Sequence, residues 1–132
     1  MMSWIEQIDI KQLRKARKHS IRYQDSLLDY IFKNIPVSEN KFCLEFGYNR
    51  KDIKPYNEAN TTKLILEDGW NYLLLDGINE NPQINLRKHF LKTDNICEIF
   101  KKYNVPENLD YLSIDVDSTD LWLLKAVLSE YK

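Results

Sequence analysis

The stretch LDYLSIDVDSTDLWL, residues 109–123, ends an apolar run in three carboxylates, Asp115, Asp117 and Asp120. Carboxylates at the end of a buried strand can act as nucleophile and acid–base pair, hold a divalent metal, or orient an acceptor that must lose a proton. They can also simply begin the next helix. Asp117 is placed to be its N-cap, and Asp120, three residues on, favours the positive end of the helix dipole. On this spacing Asp117 and Asp120 are expected to be structural, and Asp115 is the candidate catalytic residue.

Two other chemistries use the same letters. D-V-D-S-T fits the D-x-D-x-T signature of haloacid-dehalogenase-like phosphatases, in which the first Asp attacks and the second moves the proton. Only residues 118–132 follow, too few for the later lysine and metal-binding acids of that chemistry. D-x-D can also hold a metal against a nucleotide-sugar diphosphate, as in a glycosyltransferase. A metal-dependent phosphatase or glycosyltransferase using Asp115 and Asp117 is therefore an alternative, and no metal site is expected.

The elements that must position these residues follow from hydrophobic period and punctuation. KQLRKARKHSIR (11–22) reads as a solvated helical face, with Leu13, Ala16 and Ile21 interleaved among charges. QDSLLDYIFKNI (24–35) places Leu27, Leu28, Ile31 and Phe32 on one stripe that Pro36 ends. KFCLEFG (41–47) and NYLLLDG (71–77) read as buried strands, RKHFLKTD (87–94) as an exposed or edge strand, and LDYLSID (109–115) as the fourth. Between them fall a helix capped by Asn60 or Thr61 and stopped by Gly69, a short helix over 82–86, and a helix over 95–104. The stretch STDLWLLKAVLSEYK closes the chain as a helix. Strands alternating with helices predict an α/β, Rossmann-like open parallel sheet with helices on both faces and strand order 3-2-1-4. One domain is expected over 1–132, a helical segment 1–38 preceding the α/β part 39–132.

In such a sheet, ligands bind beyond the carboxyl ends of the strands, where strand order reverses. The ends predicted here are Glu45 and Gly47, Asp76 and Gly77, Thr93 and Asp94, and Asp115 and Asp117. An acid after the second strand commonly holds two ribose hydroxyls. A diphosphate would call for more glycine than the loop EFGYNRKD offers. S-adenosylmethionine needs no phosphate cradle, and its cationic methionine end favours acidic surroundings. Structural roles compete at several positions: a turn for Asp76, a cap for Asp94, a strand-end turn for Gly47, and a surface loop for Tyr48, which could otherwise cover a cofactor. Trp70 and Trp122 are expected to pack, and His19 and His89 to be surface or strand residues.

The stretches YQDSLLDYIFKNI, KFCLEFGYN, ANTTKLILEDGWNYLLLDG, TDNICEIFKKY and LDYLSIDVDSTDLWLLKAV resemble, in order and spacing, the N-terminal two thirds of class I methyltransferase-like proteins related to the FkbM group. The resemblance implies that Glu45 and Gly47 line the methionine end of S-adenosylmethionine and that Asp76 holds its ribose. Asp94 would lie near the adenine, and Asp115 would face the reacting centre. It implies methyl transfer to an oxygen or nitrogen of a small-molecule or saccharide acceptor. Asp25 and Ser26 stand where that group has an acidic pair, and Ser118 and Thr119 where it has glycine and asparagine. A methyltransferase-fold module that binds or assembles without catalysis is therefore the alternative. Class I sheets usually have seven strands, so the expected sheet is truncated. The free edge of its fourth strand would be covered by a partner, by a second copy in a homo-oligomer, or by residues beyond Lys132.

Composition narrows the field further. With 19 basic and 20 acidic residues the net charge is −1, so no global field draws nucleic acid or anionic membrane. Cys43 and Cys97 are widely separated and sit among apolar residues, suiting reduced thiols and a cytoplasmic location. No window approaches a membrane span, and no charged-then-apolar leader opens the sequence.

Overall fold

The computed structural model describes all residues, Met1–Lys132. Four parallel strands form one sheet, β1 (Phe42–Phe46), β2 (Asn71–Asp76), β3 (Leu86–Lys88) and β4 (Tyr111–Ile114), in the spatial order β3-β2-β1-β4. The predicted class and strand order are thus both observed. Helices α1 (Ile10–Ala16), α2 (Gln24–Asn34) and α3 (Thr62–Leu66) precede β2, α4 (Ile96–Lys102) joins β3 to β4, and α5 (Asp120–Val127) follows β4.

Strand alternation divides the core between the two faces. Leu44, Phe46, Leu73 and Leu75 point to one face and pack with Ile96, Ile99 and Phe100 of α4 and Leu123 and Val127 of α5. Phe46, Phe100 and Tyr131 stack edge-on, at centroid separations of 5.7 and 4.9 Å. Cys43 points to the other face, against Leu64 and Trp70, with Leu28 and Phe32 of α2 beside them. β1 and β2 are therefore apolar on both sides, the mark of a central parallel strand.

The structure corrects several local expectations. The third strand is only Leu86–Lys88, ending well before Thr93 and Asp94, and the chain then leaves the sheet through 89–95. Beyond Lys88 the predicted strand is therefore a connection with exposed residues at Phe90 and 92–94. The helical face predicted over 11–22 stops at Ala16, because the backbone beyond it is held elsewhere: Lys18 N–H, His19 N–H and the Ser20 hydroxyl all donate to the Asp25 carboxylate, at 2.7, 2.7 and 2.8 Å. Asp25 and Ser26 are the buried residues of α2, while the predicted apolar stripe is only half-buried. His19 is buried, not on the surface. Its Nδ1 accepts from Tyr56 N–H and its Nε2 meets Glu67 at 2.9 Å, so the ring ties the N-terminal segment to the β1–α3 loop.

The predicted caps also differ. Neither Asn60 nor Thr61 caps α3 through its own side chain. The Thr61 hydroxyl donates to Glu45, and the Asn60 amide donates to Ser113 on β4 at 3.0 Å. Asp117 is not the N-cap of α5, which is Thr119 without a side-chain bond, and Asp120 is the first helical residue rather than the third. Gly69, with φ +66°, follows α3 in the left-handed conformation expected of a helix stop.

Candidate functional site

Beyond the carboxyl ends of β1, β2 and β4 lies an open crevice of about 930 Å³. Its position follows from the topology. β1 leads to β2 on one side and β4 lies on the other, so the connections leaving β1 and β4 diverge and leave a gap. Of the strand-end residues singled out in the sequence, Gly47, Asp76, Gly77, Thr93, Asp115 and Asp117 line it.

Gly47 sits at the floor and has little choice of residue. Its φ is +73°, and a Cβ there would lie 1.9 Å from the Asp115 carbonyl oxygen. The glycine thus lets the ends of β1 and β4 close on each other, with Asp115 N–H donating to Phe46 at 3.2 Å. The close approach holds the Asp115 backbone while its side chain is exposed at the crevice wall.

Asp76 is buried at the end of β2, and both of its oxygens are engaged. One accepts from Asn49 N–H at 2.6 Å, the other from Ile78 N–H and Asn79 N–H at 2.7 Å each. The carboxylate therefore builds the turn out of β2 and fastens it to the loop after β1. The Asn79 side-chain amide also donates to the second oxygen, at 3.3 Å, so acceptor capacity is left open only on the oxygen that meets Asn49.

The remaining candidates lie elsewhere. Glu45 is 3% exposed and turns to the opposite face, accepting from Thr61 N–H at 3.0 Å, Asn60 N–H at 3.2 Å and the Thr61 hydroxyl. Burial pushes its carboxyl above the ordinary range, the hydrogen bonds pull against that, and the nearby charge of Asp115 adds to the rise. It does not line the crevice. Tyr48 is buried rather than a surface-loop residue. Its hydroxyl donates to the Asp52 carbonyl and accepts from Asn57, beneath the loop rather than over the crevice. Asp94 is exposed in the turn before α4 and lines no part of the crevice, although neighbouring Thr93 does.

Several crevice residues were absent from the sequence candidates. Phe90, 77% exposed, and Ile78, 79% exposed, stand on the β2–β3 side. Trp122, 58% exposed, stands on the α5 side, so it is not the packing residue its type suggests. Its place in the first turn of a helix that starts beside the β4 end was the available signal. His89 also lines the crevice, with Nε2 2.7 Å from the Tyr103 hydroxyl. Burial and the charge of Lys102 lower its pKa. Asp117 completes the wall in a left-handed conformation, φ +65°, that only a minority of non-glycine residues adopt.

The crevice thus carries Asp76 from the β2 end and Asp115 and Asp117 from the β4 end, and is bordered by exposed aromatic and aliphatic groups. No three His, Cys, Asp or Glu side chains converge as a metal-binding group. No helix is long and apolar enough to cross a membrane. The fold is that of a Rossmann-like α/β protein with an open crevice at its strand ends. Compared with protein families, characterised proteins and solved structures, the chain finds no significant match.

Proposed function

We propose that the crevice binds S-adenosylmethionine and that the protein belongs to the methyltransferase-like, FkbM-related group. In this role it would serve methyl transfer to a small-molecule or saccharide acceptor. The observation that carries this is the acidic crevice at the strand-order reversal, lined by Asp76 at the end of β2 and Asp115 at the end of β4, the two strands that flank β1. The donor set suits the ligand: carboxylates for hydroxyls and for a cationic end, apolar rings for a planar base, and no phosphate cradle. When bound, the cofactor would supply an electrophilic methyl group. Asp76 would hold a ribose hydroxyl through the oxygen that accepts only the Asn49 N–H, and Phe90 and Ile78 would flank the base. Asp115, whose side chain makes no bond within the protein, would orient the acceptor nucleophile and take its proton. Glu45 would act behind the site by fixing the start of α3 rather than by touching the ligand.

A binding or assembly module without catalysis is the second proposal. It is favoured by the prior engagement of both Asp76 oxygens and by Glu45 and Tyr48 turning away from the crevice. Metal-dependent phosphatase or glycosyltransferase chemistry has less support, because Asp115 and Asp117 gain no third ligand. Titration calorimetry with S-adenosylmethionine and S-adenosylhomocysteine tests the first proposal. Dissociation constants at or below millimolar are expected, and a folded sample showing no heat with either would rule it out. Binding without methyl transfer to any saccharide or small hydroxylated acceptor would favour the module.

A further inference from the structure

Residues 10–22 carry six cations, Lys11, Arg14, Lys15, Arg17, Lys18 and Arg22, and no carboxylate. These are six of the 19 basic residues, so the rest of the chain sets 13 against all 20 acidic ones, a formal −7 beside +6 here. The overall balance of −1 thus conceals a local field. Lys18 pairs with Glu67 at 3.3 Å, whereas the other five form no ion pair. Elsewhere the buried and half-buried lysines are neutralised, as Lys63 is by Asp29 and Asp68.

The fold gathers these charges on one face. Leu13 is the buried residue of α1, and Gln12 and Ala16 turn toward a hollow shared with α2 and α3. At 3.6 residues per turn, Lys11 and Lys15 then stand opposite Leu13, and Ile10, Arg14 and Arg17 fall on the flank away from that hollow. The Arg17 guanidinium donates to the carbonyls of Ile21 and Arg22, which holds the next loop beside the same flank. Ile10 and Ile21 are 48% and 58% exposed among the cations. Aliphatic side chains set among lysine and arginine suit a lipid headgroup layer, where phosphates meet the cations and the acyl boundary takes the isoleucines. A nucleic acid would use the cations but gain nothing from exposed isoleucine, and the Tyr23 ring on this flank is covered by Arg14, 5.7 Å from its centroid.

We propose that this face, with Lys11, Arg14, Lys15 and Arg22 around Ile10 and Ile21, docks on an anionic lipid surface. The cations lie against the lipid phosphates and the two isoleucines enter the interface. α1, seven residues long, lies along the surface and does not cross it. Neither the crevice nor its ligand is needed for this contact.

Co-sedimentation with vesicles of phosphatidylglycerol and phosphatidylcholine in equal parts, at physiological ionic strength, tests this. The protein is expected to be half-bound at no more than about 1 mM accessible lipid, to ignore vesicles of phosphatidylcholine alone, and to be released at about 1 M salt. Lys11→Gln with Lys15→Gln and Arg22→Gln should weaken binding about a hundredfold, near fivefold for each cation lost. Ile10→Ser with Ile21→Ser should weaken it at least about tenfold. All five positions are exposed, so both variants should unfold at the parent's midpoint. No binding to the mixed vesicles overturns the proposal, as does equal binding to phosphatidylcholine alone or binding that neither variant weakens. Single-stranded polyuridylate, followed by fluorescence anisotropy at the same salt, is the remaining arm. Micromolar binding that the charge variant loses and the isoleucine variant keeps would overturn the lipid assignment in favour of nucleic acid.

Discussion

Gly47 and Asp115 meet at the floor of the crevice, and each constrains the other. A side chain at Gly47 would meet the Asp115 carbonyl at 1.9 Å in a backbone conformation that already disfavours L-residues. Gly47→Ala is therefore expected to destabilise the fold by about 3 kcal/mol or more, measured by urea denaturation; a variant as stable as the parent would refute the close approach. Asp115 differs, because its side chain is exposed and carries no structural bond. Asp115→Asn should change stability by no more than about 0.5 kcal/mol. Under the proposed activity it should also lower turnover at least about a hundredfold. Equal turnover in the two proteins would remove Asp115 from the chemistry.

Two buried acids fix elements of the fold, and their pH signatures should be opposite. Burial alone would raise the Asp25 carboxyl, but bonds from His19, Lys18, Ser20 and Ser26 outweigh it and hold the carboxyl below its usual range. The stability Asp25 contributes is thus present above the ordinary carboxylate pKa and lost as pH falls through its lowered folded value. Asp25→Asn should be destabilised by about 2 kcal/mol at neutral pH, with the gap to the parent narrowing in acid. For Glu45, burial wins and the carboxyl is raised. Its contribution is therefore full below the ordinary range and declines as pH rises through the folded value. Denaturation curves of Glu45→Gln should lack that decline; a parental pH profile would mean that Glu45 is not buried in its acid form. The contrast arises from geometry: Asp25 gathers donors from the segment it terminates, whereas Glu45 lies deeper and near the negative charge of Asp115.

In the whole molecule, the sheet separates support from chemistry. α4 and α5 clamp one face through Phe46, Phe100 and Leu123, while the N-terminal helices cover the other, leaving the strand ends open between them. Phe100 is fully buried between Phe46 and Tyr131. Phe100→Ala should cost about 3–5 kcal/mol in thermal or urea unfolding, and a loss below about 1 kcal/mol would show that this core is not close-packed. The N-terminal segment is part of the same body, tied through His19 to Tyr56 and Glu67 and through Lys63 to Asp29 at 3.1 Å. The loop after β1 is thereby braced from behind, a rigid support for a site that projects from strand ends.

Local pattern was enough to determine the alternation of strands and helices, the parallel order, and the grouping of Gly47, Asp76 and Asp115 at one end of the sheet. The physical reason is that buried parallel strands are uninterrupted apolar runs, and a topology fixes which strand ends adjoin. Where side chains turn was not legible. Glu45 and Asp115 both stand near strand ends, yet Glu45 lies within β1 and is drawn inward by Asn60 and Thr61 at the start of α3, whereas Asp115 lies just past β4 and lines the crevice. Trp122 and Phe90 are core types by composition, but only the packed helices show that they border an open site. Asp117 and Asp120 fit a capping pattern that the tight β4–α5 turn displaced by its own backbone geometry. Sequence thus set the frame through hydrophobic period, and tertiary packing decided which carboxylates face water, because burial depends on neighbours far along the chain.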